Sequence, residues 1–448
     1  MFKANDIRGL VTGDTPEWDA AGARAIGAAF VQVLGLTARS FVLGRDMRSS
    51  GPGLAAAFID GAIEQGADVI DVGLASTDQL WFASGHFSLP GVQLTASHNP
   101  SDYNGVKFCL ADAAPIEPQQ LLAIKSLALA GELPPAPTAG TYTETDVLPA
   151  YAAHLHALVP MAGTRRLRVV YDAGNGMAGH TAPAVLGPLN LELIGLFTDL
   201  DGSFPNHPPN PLEPANLVDA QAAVREQHAD VGLVFDGDAD RCFIIDERGE
   251  VVSPSLVTAL IARHELAAEP GGTIVINTIT SRAVNRVVAD AGGQVVISKV
   301  GHTAVKALMV EHDAIFGGEH SAHYYFRDFW GADTGMLAAL HVLALLGHSA
   351  GTMSQLVAEL PSFAASGELN STVDDVPGTL DRVAEAFLGR GAHDRSDGLT
   401  IETDDWWVNV RPSNTEPLLR LNVEARSEQE MASLRDETLA IIRGGTDA

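Results

Sequence analysis

The chain has 448 residues, 46% of them apolar and 19% charged, with a formal charge of −28. That length exceeds one ordinary core and gives a prior of about three domains. The acidic balance argues against nucleic acid or an anionic membrane as partner, and any phosphorylated substrate would need positive potential built locally from only 28 basic residues. The opening segment from Met1 to Asp6 runs into charged sequence with no secretory apolar region. Cys109 and Cys242 offer no disulfide framework. The longest apolar stretch, near residues 335–347, is broken by His341 and falls short of the roughly 20 residues of a membrane span. A soluble, cytoplasmic protein is expected.

In chain order, three segments repeat one pattern. An apolar run at 41–44 leads into the polar turn 45–51, an Ala-rich helical stretch to Gln65 and a second run at 68–73. The same sequence of features recurs as 168–171, 172–179, a helix and 191–195, and again as 273–276, 277–281, a helix to Ala291 and 294–298. Each unit has the size of a βαβ element, roughly 25–30 residues. The runs are rich in Val, Ile and Leu without strict alternation, as expected when both sheet faces are covered. The remainder differs. Residues 373–390 read as strand then helix, 398–402 with 406–410 as a hairpin, 418–423 as an alternating strand and 428–443 as a closing helix. Pro- and Gly-rich breaks lie at 132–140, near 246–254 and near 361–367. The expectation is three related mixed α/β domains, 1–140, 141–250 and 251–365, and a smaller α+β domain, 366–448, around one central cleft.

Four polar loops carry candidate chemistry. Thr95-Ala96-Ser97-His98-Asn99-Pro100 follows the apolar run 91–94. No Gly-x-Ser-x-Gly elbow surrounds Ser97, so a hydrolase triad is not indicated. Hydroxyls, an amide and backbone N–H groups suit a phosphoryl group, although a plain strand-end turn closed by Asn99-Pro100 has the same composition. Asp236, Asp238 and Asp240 alternate with small residues and can aim three carboxylates at one hard divalent cation. Their spacing imitates an EF-hand, with Glu247 at the twelfth position, but Arg241 replaces the required glycine and strands flank the loop. The alternative is an acidic surface turn. Gly317-Gly318-Glu319-His320-Ser321-Ala322-His323 combines glycines for close approach with groups that read sugar hydroxyls, or is a loop of satisfied histidines. Arg411, Ser413, Asn414 and Thr415, with Arg420 nearby, suit a phosphate monoester, or a capped turn.

The four loops in this order resemble the α-D-phosphohexomutase superfamily, and the likeness spans nearly the whole chain. Asn5-Asp6-Ile7-Arg8-Gly9 is similar to that family's opening segment, and Tyr103-Asn104-Gly105-Val106-Lys107 to the basic segment after its serine. The resemblance implies a phosphoserine at Ser97 and Mg2+ held by Asp236, Asp238, Asp240 and the Ser97 phosphate. Arg241, Lys107 and Arg8 would assist transfer, and His302 is a candidate proton carrier, or else a helix-capping histidine. Glu319, Ser321 and His323 would hold the sugar, and Arg411, Ser413, Asn414, Thr415 and Arg420 the second phosphate. The Tyr-Asn-Gly-x-Lys segment and the Ser413-Asn414 pair look like the phosphomannomutase and phosphomannomutase/phosphoglucomutase branch, with glucose phosphates and glucosamine phosphate as alternative substrates. His320 and Ala322 stand where better-known members have Met and Gly, which leaves the mannose-to-glucose preference open. The implied reaction passes through a hexose 1,6-bisphosphate in a cleft that is positive once metal is bound. The expected partner is a small hexose phosphate, with no nucleic acid and no membrane, and the chain is expected as a monomer or homodimer. Rival readings are a phosphatase, which would release phosphate, and a non-catalytic sugar-phosphate sensor, which would bind without turnover.

Overall fold

The computed structural model describes residues 6–131, 133–412 and 418–444. Four sheets follow one another along the chain. The first contains β1 (Ile7–Leu10), β2 (Ser40–Arg45), β3 (Asp68–Leu74), β4 (Gly91–Leu94), β5 (Tyr103–Cys109) and β6 (Tyr142–Glu144), in spatial order β1-β5-β4-β2-β3-β6. The second contains β7 (Leu167–Asp172), β8 (Leu191–Leu196), β9 (Val231–Phe235), β10 (Cys242–Asp246) and β11 (Val251–Val252), in order β11-β10-β9-β7-β8. The third contains β12 (Thr273–Asn277), β13 (Gln294–Ser298), β14 (Phe316–Gly318), β15 (Tyr324–Phe326) and β16 (Ala332–Asp333), in order β13-β12-β14-β15-β16.

These three sheets share one plan. The first strand of each unit is central, the next pairs parallel at its side, the third pairs parallel on the other side, and an antiparallel hairpin follows. Parallel neighbours need a helical crossover, which is why helices separate the strands until the hairpin. In the first sheet the outermost antiparallel position is taken by β1, from the start of the chain. That sheet also takes in β6, beyond the Pro-rich break at 132–140. Near 246–254 the expected break contains β11, paired to β10.

The fourth sheet is antiparallel: β17 (Ala364–Ala365), β18 (Leu369–Thr372), β19 (Ala392–Asp394), β20 (Leu399–Glu402), β21 (Trp406–Pro412) and β22 (Leu418–Ala425), with helices Val376–Ala386 and Glu428–Ile442. The strand expected at the start of 373–390 lies earlier, at Leu369–Thr372, where Asn370 and Ser371 dilute the apolar signal. Its core, including Val383, Leu399, Val408 and Leu421, is separate. By contrast, one continuous core runs from helix Thr77–Phe87 through the second and third sheets, joining Trp81, Tyr151, Phe235 and Met336. Helix Gly335–His348, the longest apolar stretch, is buried within that core. No helix among the described residues is long and apolar enough to cross a membrane.

Candidate functional site

The shared plan places three of the four candidate loops at one structural position. Ser97 lies in the turn from β4 to β5, the three aspartates in the turn from β9 to β10, and Glu319 to His323 in the turn from β14 to β15. Each is the hairpin turn of its repeat, and the three meet.

Ser97 adopts a left-handed backbone with φ of 51°, a conformation that side chains rarely take and that clusters at functional turns. Its Oγ donates to Asp236 Oδ2 at 2.8 Å and lies 3.3 Å from His98 Nδ1. Arg48 holds the loop from behind. Its guanidinium donates to the carbonyls of Ser97 (2.9 Å), Asn99 (2.6 Å), Pro100 (2.6 Å) and Tyr103 (2.9 Å) while its Nε pairs with Asp46. A planar fork can serve several carbonyls at once, which an ammonium cannot. Gly237 sits against the same loop: a Cβ there would lie 2.4 Å from the Ser97 carbonyl oxygen, so only glycine lets the two turns touch.

All three aspartates are buried, and one carboxylate oxygen from each lies within 4.8 Å of the others. Asp236 accepts from Arg241 Nη2 at 2.8 Å. Burial drives its carboxyl above the usual carboxylate range, opposed by Arg241 and reinforced by Asp240 and Asp238. Asp238 accepts from Thr77 Oγ1 at 2.5 Å and from Lys107 Nζ at 2.7 Å. Burial pushes Asp238 up, but the Lys107 ammonium outweighs it and holds the group low. Lys107 also donates to Asp240 Oδ2 at 2.6 Å. Asp238 Oδ1 and Asp240 Oδ1 are buried with no hydrogen-bond partner. Unsatisfied buried carboxylate oxygens are costly, and an oxygen-only set of this kind fits a hard divalent cation such as Mg2+.

The third loop joins through backbone and side chain. Arg241 and His323 form an isolated antiparallel bridge. His323 Nε2 lies 3.8 Å from Asp240 and 4.0 Å from Asp333, and Ser321 Oγ is 3.0 Å from its Nδ1. Burial lowers His323 to about 4 despite both carboxylates, so it is a neutral imidazole near neutral pH. His302 begins helix His302–Glu311; burial lowers it too, against Asp333. Glu319 is turned inward, accepting from Gly301 N (3.0 Å), Asn277 Nδ2 (3.3 Å) and Tyr325 Oη (3.1 Å). His320, which departs from the resembled pattern, turns toward Ser255 Oγ at 3.1 Å.

A cavity of about 270 Å³ collects Arg8, Ser97, Lys107, Asp240, Arg241, His302, Ser321, His323 and Arg420. Glu319 and Arg411 stand outside that lining, as do Asp236 and Asp238. Arg8 is anchored by Asp6 at 2.7 Å and Asn99 at 3.2 Å. Arg411 and Arg420 share Glu368, at 2.5 and 3.2 Å. Ser413, Asn414 and Thr415 lie outside the described residues.

Several neighbours that the fold brings in belong to none of the four loop motifs or lack a role within them. His98 accepts from Arg241 Nη2 at 2.8 Å, and burial with the adjacent Arg241 keeps its imidazole well below its ordinary range. Lys306 pairs with Asp333 at 2.9 Å and lies 4.4 Å over the Trp81 ring, whose Nε1 donates to the same carboxylate at 3.1 Å. Arg48 and Lys306 carried one signal, as basic residues in a chain that has few.

Models of the phosphoglucomutase/phosphomannomutase α/β/α domains I, II and III match residues 1–134, 149–249 and 253–363, and the model of its C-terminal domain matches 368–441. A phosphomannomutase of Salmonella typhimurium is 39% identical over 98% of this chain and 97% of its own. A Xanthomonas campestris protein named phosphohexose mutases is 39% identical, over 99% of each chain. The crystal structure of a phosphoglucomutase/phosphomannomutase family protein from Burkholderia thailandensis superposes with a TM-score of 0.90 at 34% identity, covering 99% of this chain and 98% of that one.

Proposed function

The chain belongs to the phosphoglucomutase/phosphomannomutase family of isomerases, and from that premise we propose that it interconverts mannose 6-phosphate and mannose 1-phosphate through phosphorylated Ser97. The observation that carries this reading is Ser97 Oγ at 2.8 Å from Asp236, inside a cluster whose Asp238 and Asp240 each keep an unpartnered oxygen. Magnesium held by Asp236, Asp238, Asp240 and a phosphate oxygen would supply charge neutralisation to the transferring group.

Phospho-Ser97 gives its phosphoryl group to the free hydroxyl of the bound hexose phosphate. The Oγ–P bond breaks, a sugar O–P bond forms, and the hydroxyl proton passes to a neutral imidazole of the cleft, His302 or His323. Arg241 and Arg8 stabilise the charge in transit. The hexose 1,6-bisphosphate then reorients and returns its other phosphate to Ser97, with Arg411 and Arg420 holding the phosphate that is not moving. Ser321 and His323 face the sugar directly, whereas Glu319 would reach it after exchanging one of its internal hydrogen bonds. Lys107 is committed to Asp238 and Asp240, so it would be available to a phosphate only where the charge of those carboxylates is otherwise balanced. Two free, buried cysteines suit a reducing, cytoplasmic setting.

Coupled assays with mannose 1-phosphate and glucose 1-phosphate, each with trace bisphosphate and magnesium, test the reading through their kcat/KM ratio. Preference for mannose 1-phosphate is expected. Net phosphate release without the isomeric sugar phosphate would replace it with a phosphatase.

A further inference from the structure

We propose that His264, Glu265 and His341 form a second metal site, suited to a borderline divalent transition metal such as zinc. Their ligand atoms lie within 4.8 Å of one another. His264 and Glu265 come from helix Pro254–Ala268, and His341 from helix Gly335–His348. His341 is 6% exposed, and its buried Nδ1 has no hydrogen-bond partner. That nitrogen faces Glu265 Oε1 at 3.5 Å, too long for a satisfied bond. The ring is fixed by stacking on Phe326, with centroids 4.8 Å apart and planes 9° apart. The His264 ring stands edge-on to it at 5.8 Å and 72°.

The donor set decides the cation. Two imidazole nitrogens and one carboxylate with an open outer position match zinc and its neighbours, whereas the three aspartates of the cleft present oxygen alone and match magnesium. A cavity of about 150 Å³ adjoins Glu265 and His341, and the exposed His264 leaves a route from solvent. The site would bolt one helix to another. His341 lies six residues, about 9 Å, along its helix from Gly335, and a Cβ at Gly335 would lie 2.7 Å from the Arg241 carbonyl carbon of the aspartate turn.

The experiment is zinc titration of the full chain under saturating magnesium, read by competition with a chromophoric chelator and by thermal melting. One zinc per chain that survives magnesium, with a rise in Tm, is expected. His264→Ala, at an exposed position, should weaken zinc binding at least about tenfold, abolish the Tm rise and leave turnover in magnesium alone unchanged. His341→Ala should weaken zinc similarly, and Asp238→Asn should leave it intact. Zinc binding that is absent, insensitive to His264→Ala or lost with Asp238→Asn overturns the proposal.

Discussion

The turn between β4 and β5 and the turn between β9 and β10 occupy equivalent places in their sheets, yet a cation secures each from a different side. Arg48 approaches the serine turn from behind and takes only its carbonyls, leaving the Ser97 hydroxyl directed at Asp236. Lys107 approaches the aspartate turn from the front and takes two carboxylates. A loop that carries a transferable group needs its backbone fixed without engaging the side chain. A loop that holds a cation needs its charge balanced by something that can yield to that cation.

The largest effect should come from Ser97→Ala, which removes the hydroxyl proposed to carry the phosphoryl group while keeping both backbones: turnover in the coupled assay falls at least about 1000-fold, with the circular dichroism spectrum unchanged. Asp238→Asn attacks the other turn and should cost about 100- to 1000-fold in kcat; chelation of metal from the wild type should do the same, reversed by adding magnesium. Arg48→Lys distinguishes the two modes of support. One ammonium cannot serve four carbonyls, so turnover should drop about tenfold and stability by about 2–4 kcal/mol in urea unfolding. An unchanged variant would mean that the serine turn needs no backing. Gly237→Ala pushes the turns apart and should cost about 1–3 kcal/mol with a several-fold loss of kcat.

The smallest effect on turnover should come from Asp78→Asn, beside the Thr77 that holds Asp238. Asp78 is buried and accepts from Ser76, from Tyr151 Oη at 2.7 Å and from Thr334 Oγ1 at 2.7 Å. Burial raises it to about 6, even with those three donors. Between about pH 4 and that value the native state keeps a proton that the unfolded chain has lost, so wild-type stability falls as pH rises through this window and levels off above it. The stability of wild type relative to Asp78→Asn should therefore decline by up to about 3 kcal/mol from pH 4 to pH 7.

Much of this comparison was legible in the sequence, since apolar runs broken by helical stretches marked three repeats and their polar turns stood out. Their equivalence was hidden. The hairpin strands of the third sheet, Phe316–Gly318 and Tyr324–Phe326, are too short to show a period, and in the first sheet β1 reaches its place from the far end of the segment. Arg48 was visible only as a basic residue in a polar turn, because the carbonyls it serves lie about 50 residues away and backbone acceptors leave no trace in residue type. Lys107 could be placed near the chemistry, but its commitment to Asp238 and Asp240 depends on two sheets meeting. Glu319 reads as a sugar contact because carboxylates suit hydroxyls; its inward bonds come from Gly301, Asn277 and Tyr325, scattered over other elements.

Glu368 gives the far end of the cleft a distinct character. Because its single carboxylate spans Arg411 and Arg420, half of the charge of this arginine pair is already offset from within. On the proposed function, docking there would be an exchange of one anion for another. A chloride or a lone carboxylate gains little by displacing an internal competitor, while a phosphate dianion with three acceptor oxygens does. In a chain carrying −28, that competition would act as a threshold on the proposed function: two cations, one of them buried, would be kept for the ligand with charge enough to claim them.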